Sequence, residues 1–224
     1  DQTANAGESC ASQDKINLLS SKPGSVKWVC ENYLSRVMSY FAGVNLDYPG
    51  LGNVKAAVSS SNWETACNEI ISYYQTCNTY YGSTYRGPKP AATSNTVSSA
   101  ENILNDIYTY NNIVGTIERF PDGSVDWDYT GPINSVHWAN DFCRVYWMDT
   151  LKNAYLSTGN INYSSRFDKD IADFAVNYPA VSGLYVWEHL NAGIRAQKFA
   201  RLFFQFFNSS EFQPATKIMA RYFQ

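Results

Sequence analysis

Charge is scarce in this sequence and long apolar runs are missing from it. Only 17% of the 224 residues are Asp, Glu, Lys or Arg, the formal net charge is −3, and no Lys/Arg cluster occurs. The electrostatic footprint of a nucleic-acid binder is therefore absent. No apolar stretch reaches the roughly 18 residues needed to cross a bilayer; the longest, 200–207, is interrupted by Arg201 and Gln205. Neither nucleic acid nor membrane is expected as a partner. Histidine is limited to His137 and His189, and Cys10, Cys30, Cys67, Cys77 and Cys143 contain no CxxC pair. That composition gives no support to a zinc site and calls for no cofactor.

What is present is apolar and aromatic: 45% hydrophobic residues, with 17 Tyr, 12 Phe and 6 Trp. This is the composition of an ordered globule. The length fits one domain over 1–224, with 1–24 as an N-terminal extension. Two sequons, Asn162-Tyr-Ser and Asn208-Ser-Ser, on a Ser/Thr/Asn/Tyr-rich chain favour secretion. No signal peptide is visible, so the start at Asp1 is expected to be a processed or trimmed end. Disulfides are then the expected use of cysteine, with one thiol left over. Cys67 and Cys77 would lie about 15 Å apart on a straight helix, against the roughly 6 Å that a disulfide spans. Cys143 sits inside an expected long helix and is the choice for the free thiol.

Helical period is clear in several windows. Val26, Val29, Cys30, Tyr33, Val37, Tyr40 and Phe41 form one face of a helix over 25–42. Trp63, Ala66, Cys67, Ile70, Ile71 and Tyr74 repeat the pattern. Ser61 with Glu64, and Ser98 with Glu101, have capping-box spacing before the second and third helices. Segments 80–96 and 119–136, rich in Gly and Pro, read as loops. Further helices are expected over 138–157, ended by Thr158-Gly159-Asn160, over 165–177, over 185–207, and from 211 onward. No strand alternation longer than a few residues appears, so the expected class is all-α, built of antiparallel helical hairpins. Period alone leaves both a toroid and a bundle open.

Three stretches carry a family resemblance. The first is Asn45-Leu46-Asp47-Tyr48-Pro49, followed by Val54-Lys55-Ala56-Ala57 and a helix ending in Tyr73-Tyr74. The second runs from Asp126-Trp127-Asp128-Tyr129-Thr130-Gly131-Pro132 through Trp138 and Arg144 to Ala154-Tyr155-Leu156-Ser157-Thr158-Gly159. The third is Trp187-Glu188-His189-Leu190-Asn191-Ala192-Gly193-Ile194-Arg195. In order and spacing these resemble the N-terminal part of heparinase II/III-like polysaccharide lyases. The resemblance implies an incomplete α/α toroid followed by a β-sandwich, and cleavage of uronic-acid polysaccharides by β-elimination. It also implies that the catalytic Asn, His and Tyr lie beyond Gln224, on the remainder of a longer parent chain or on a partner subunit. Two of its motifs are altered: Cys143 and Val145 flank the one matching residue, Arg144, and Glu188 and Asn191 stand where the family has Arg and Glu.

Such a reaction needs the carboxylate beside the leaving proton neutralised, a base, an acid, and surfaces on which sugar rings pack. Arg144 and Arg195 are the candidates for holding a uronate, since a guanidinium grips a carboxylate through two parallel bonds; the alternative for each is a structural ion pair. Glu188, Asn191 and Arg195 share a helical face opposite Trp187, Leu190 and Ile194, and that face lines a cleft or meets water. Trp127 and Tyr129 are candidate sugar platforms or loop anchors. His189 is a candidate acid, base or donor, or a satisfied structural residue. The leading function is thus a secreted lyase-like protein binding anionic polysaccharide. The alternative is a non-catalytic glycan- or protein-binding module on the same scaffold. An inverting glycosidase is weaker, because no carboxylate pair stands out.

Overall fold

The helical periods become ten α-helices among the described residues of the computed structural model, which are 26–86, 89–178 and 185–222. The expected helix over 25–42 is two: α1 (Val26–Asn32) and α2 (Leu34–Gly43). They part at Tyr33, where the Asn32 amide donates to the Trp28 carbonyl at 2.9 Å, a side-chain bond of the kind that competes with helical continuation. The apolar face survives the break, because Val26, Val29, Val37 and Phe41 are all buried.

Next come α3 (Gly52–Ser59) and α4 (Trp63–Arg86), a packed hairpin. Its turn corrects the expected Ser61–Glu64 capping box. Ser61 takes φ +55° and Asn62 caps instead, its Oδ1 accepting from the Thr65 N–H at 3.2 Å. The loop expected over 80–96 is also shortened, since α4 continues to Arg86. Gly82 alone costs a helix only about 1 kcal/mol, and the first proline after Pro49 is Pro88, beyond the helix end. Helix α5 (Ser94–Leu104) starts a turn earlier than Ser98, capped by Thr93 Oγ1, which accepts from the Thr96 N–H at 3.1 Å. Glu101 is not part of a capping box; it accepts from the Tyr163 hydroxyl at 2.6 Å.

A short antiparallel hairpin follows, which the sequence reading missed: β1 (Ile107–Tyr110) and β2 (Ile113–Thr116), with Tyr108 opposite Gly115. Asn111 and Asn112 join them at φ +51° and +63°, the two left-handed residues of a two-residue hairpin turn, a conformation Asn tolerates better than most. The hairpin leaves the all-α class intact.

The expected helix over 138–157 is also two, α6 (Val136–Cys143) and α7 (Trp147–Thr158), separated at Val145, whose φ is +55°. Gly159, left-handed at φ +75°, ends α7 where the sequence indicated. Helix α8 (Ile161–Asn177) is capped by Asn160. A 3-10 turn (Tyr185–Trp187) leads to α9 (His189–Phe206), and α10 (Pro214–Tyr222) opens on a proline, which suits a first helical turn.

Helix α8 ties two cores together. Phe167, Ile171 and Phe174 enter an aromatic core with Trp127, Trp138 and Phe142, while Ala172 and Ala175 enter a second one with α1–α4 and α10. No described helix is long and apolar enough to cross a membrane. The extension 1–24 and Cys10 lie outside the described residues.

Candidate functional site

The end of α6 and the start of α9 meet in a polar cluster. Glu188 caps α9, its Oε2 accepting from the N–H groups of Leu190 and Asn191, each at 3.1 Å. Asn191 is fully buried. Its Nδ2 donates to Asn140 Oδ1 at 2.7 Å, which fixes its Oδ1 to accept from Arg144 Nε at 2.9 Å. Arg144 is thereby oriented by one edge of its guanidinium. Its side chain is 19% exposed, and its NH1 forms a loose i, i+3 ion pair with Asp141 at 3.9 Å, the structural pairing that was the alternative for this residue. A half-buried guanidinium held at Nε by Asn191 and loosely paired at NH1 with Asp141 keeps NH2 open, among the described residues, for an anion.

Arg195 is placed otherwise than either reading expected. It is 2% exposed, so it cannot reach a polymer in solvent, and no carboxylate lies within ion-pair distance among the described residues. Its guanidinium carbon stacks 4.6 Å from the Phe174 ring centroid and 5.0 Å from that of Trp187, and NH1 donates to the Cys143 carbonyl at 3.0 Å. Burial pulls its pKa down to about 10, against the opposing charge of Asp128. The faces of α9 are consequently exchanged. Asn191, Arg195 and Phe199 point inward at i, i+4 and i+8, while Leu190 is 57% exposed. The polar side chains are inside because the orphan carbonyls at the end of α6 and the Arg144–Asn140 pair need partners there.

Trp127 is core rather than platform. It is fully buried, its ring parallel to Phe142 at 5.5 Å and edge-on to Phe174 at 5.1 Å, so no face is left for a sugar. Its indole N–H donates to Asp173 Oδ2 at 2.8 Å. Tyr129 is half-buried, edge-on to Trp138 at 5.5 Å. His189 is exposed at the first position of α9. Cys143 is buried with its Sγ donating to the Trp127 carbonyl at 3.2 Å, and burial pushes its thiol up to about 12. The sequon residues Asn162 and Asn208 are both exposed.

One charged cluster escaped the sequence reading. Arg119 grips Asp106 through Nε and NH2, both at 2.9 Å. Arg166 bonds Asp170 at 2.6 Å, the Tyr108 hydroxyl at 2.9 Å, and Asp106 as well. Burial alone would raise the Asp106 pKa, but the bond from Arg119 and the charges of both arginines hold it below the usual range. The Asp173 carboxyl beside them is pushed up to about 6 by burial, despite donors from Trp127, Asn177 and Val125. Asp106, Arg119, Arg166, Asp170 and Asp173 line a cleft of about 390 Å³, yet the guanidiniums in it are already committed to carboxylates. The i, i+4 spacing of Arg166 and Asp170 was a visible signal; the convergence of Asp106 and Arg119 on that pair was not.

Comparison with known proteins identifies the framework. Residues 40–222 match the family described as heparinase II/III N-terminus, and the chain belongs to that family. Similar proteins include heparin-sulfate lyases of Pedobacter heparinus and Bacteroides thetaiotaomicron. They are 26% and 23% identical over 189 residues, which is 78% of this chain and 28% and 26% of theirs. Similar solved structures include the heparan sulfate lyase HepC of Pedobacter heparinus (TM-score 0.67, 23% identity, 81% of this chain and 30% of that one). A heparinase III structure has TM-score 0.63 at 20% identity, over 82% of this chain and 30% of that one. The chain thus spans between a quarter and a third of the length of these relatives.

Proposed function

We propose that this chain is the N-terminal helical part of a secreted polysaccharide lyase-like protein acting on a heparan-sulfate-type, uronate-bearing polymer by β-elimination, and that Arg144 contributes to one wall of its cleft. Family membership and the lyases among its relatives support the substrate class. The observation that carries the site is the Arg144 guanidinium, oriented through Nε by a buried amide, with NH1 only loosely paired to Asp141 at 3.9 Å and NH2 left open among the described residues. In that pose it would neutralise the carboxylate beside the carbon that loses its proton. Base and acid are sought outside these residues, on the remainder of the parent chain or a partner subunit. Binding of an anionic glycan by the same guanidinium completes the reading.

Arg144→Ala is expected to weaken binding of a heparan sulfate oligosaccharide by roughly 10- to 100-fold, since a charge-assisted hydrogen bond contributes about 1.5–3 kcal/mol and each 1.4 kcal/mol is tenfold. The melting temperature should also fall, by roughly 2–10 °C, because the buried Asn191 Oδ1 loses its Arg144 donor. Calorimetric titration beside a thermal melt checks both, and unaltered affinity in a destabilised variant would reject the assignment.

The alternative, a glycan- or protein-binding module without chemistry, is favoured by Cys143 and Val145 flanking Arg144 and by Glu188 and Asn191 in the altered third motif. Ultraviolet absorbance of unsaturated uronate, released by the protein at its natural length, separates the two. Secretion with N-glycans at Asn162 and Asn208 belongs to the leading reading, and both residues are exposed. A loss of mass on enzymatic removal of N-glycans is its check.

A further inference from the structure

Cys30 on α1 and Cys67 on α4 face each other in the second core, 37 residues apart in sequence, with their Sγ atoms separated by 3.9 Å. Cys67 is fully buried and Cys30 partly exposed. Neither Cys77 nor Cys143 competes for Cys67. Cys77 lies ten residues further along the unbroken α4, about 15 Å away on the helix axis. Cys143 belongs to the other core, with its Sγ on the Trp127 carbonyl. Among the described residues, Cys30 is therefore the thiol within reach of Cys67. The gap between them exceeds a disulfide bond of about 2.05 Å by less than the swing of one Sγ between staggered rotamers.

We propose that Cys30 and Cys67 form a disulfide that staples α1 to α4. The oxidant is a small-molecule disulfide such as oxidised glutathione. The Cys30 thiolate, reached from solvent, attacks one sulfur of that disulfide and displaces a thiolate. The Cys67 thiol then loses its proton and attacks Cys30 Sγ, displacing the second thiolate. Two protein thiols are oxidised, one external disulfide is reduced to two thiols, and the protons released end on those thiols. The cross-link removes freedom chiefly from the unfolded chain, through a loop long enough for that effect to matter.

The test uses the protein at its natural length, equilibrated with oxidised and reduced glutathione, alkylated and digested without reduction. Mass spectrometry is expected to find the Cys30 and Cys67 peptides joined. Reduction is expected to lower the melting temperature by about 5–15 °C, and Cys30→Ser is expected to abolish that response to reductant. Alkylation of both thiols after oxidative equilibration would overturn the proposal, as would a bridge from either residue to another cysteine, Cys10 included. Should Cys30→Ser fail to fold, the peptide map of the unsubstituted protein decides by itself.

Discussion

Replacing Trp127 with alanine is expected to lower stability by roughly 3–5 kcal/mol, the usual cost of removing a large aromatic from a packed core. Two losses combine in that figure. The ring fills space between Phe142 and Phe174, and its N–H is one of the donors that hold the buried Asp173 carboxyl. Trp127→Phe keeps most of the ring and removes only the donor, so it should cost about 1–3 kcal/mol. Urea denaturation is expected to rank the alanine variant below the phenylalanine variant and both below the unsubstituted protein. A Trp127→Ala protein of native stability that has lost only polysaccharide binding would restore the sugar platform and refute the core assignment.

Arg166→Ala should be about as damaging, again roughly 3–5 kcal/mol, because removing one partner of a buried ion pair leaves the other charge uncompensated. Asp170 is 2% exposed and would keep only a 3.6 Å approach to Arg119, while Tyr108 would lose the donor to its hydroxyl. The double variant Arg166→Met with Asp170→Leu removes charge and counter-charge together and is expected to recover much of the loss, as apolar replacements of buried pairs commonly do. Chemical denaturation of the three proteins measures this. A double variant no more stable than Arg166→Ala would show that unpaired charge is not what the single substitution costs.

Legibility differed by kind of information. Helical faces were readable because burial imposes a 3.6-residue period, and the buried stripe through Val26, Val37 and Phe41 crosses a helix break without changing side. The breaks themselves were not readable, since nothing in the composition of Val145 suggests a left-handed backbone; a β-branched residue there is imposed by the surrounding packing. The hairpin was missed because its four-residue strands are too short for alternation to register, although Asn111-Asn112 was a turn signal in plain view. At the candidate site, residue type alone put Arg144 among the candidates, while the inward turn of Asn191 and Arg195 depends on polar groups of a helix 47 and 52 residues away. Sequence spacing does not record a distance of that kind. The same limit explains Trp127, where a loop position suggested accessibility and long-range packing removed it.

The corner at Val145 has a consequence for how the molecule opens. It ends α6 and leaves the Cys143 carbonyl for Arg195 to take, while Arg144, the next residue, is held by Asn191 one turn away on the same helix. Neither contact lasts if the other helix end frays, because each end supplies the partner that the other would otherwise find in water. The last turn of α6 and the first two turns of α9 therefore loosen and close as one cooperative unit. Any motion that widens this face of the molecule must release both attachments together.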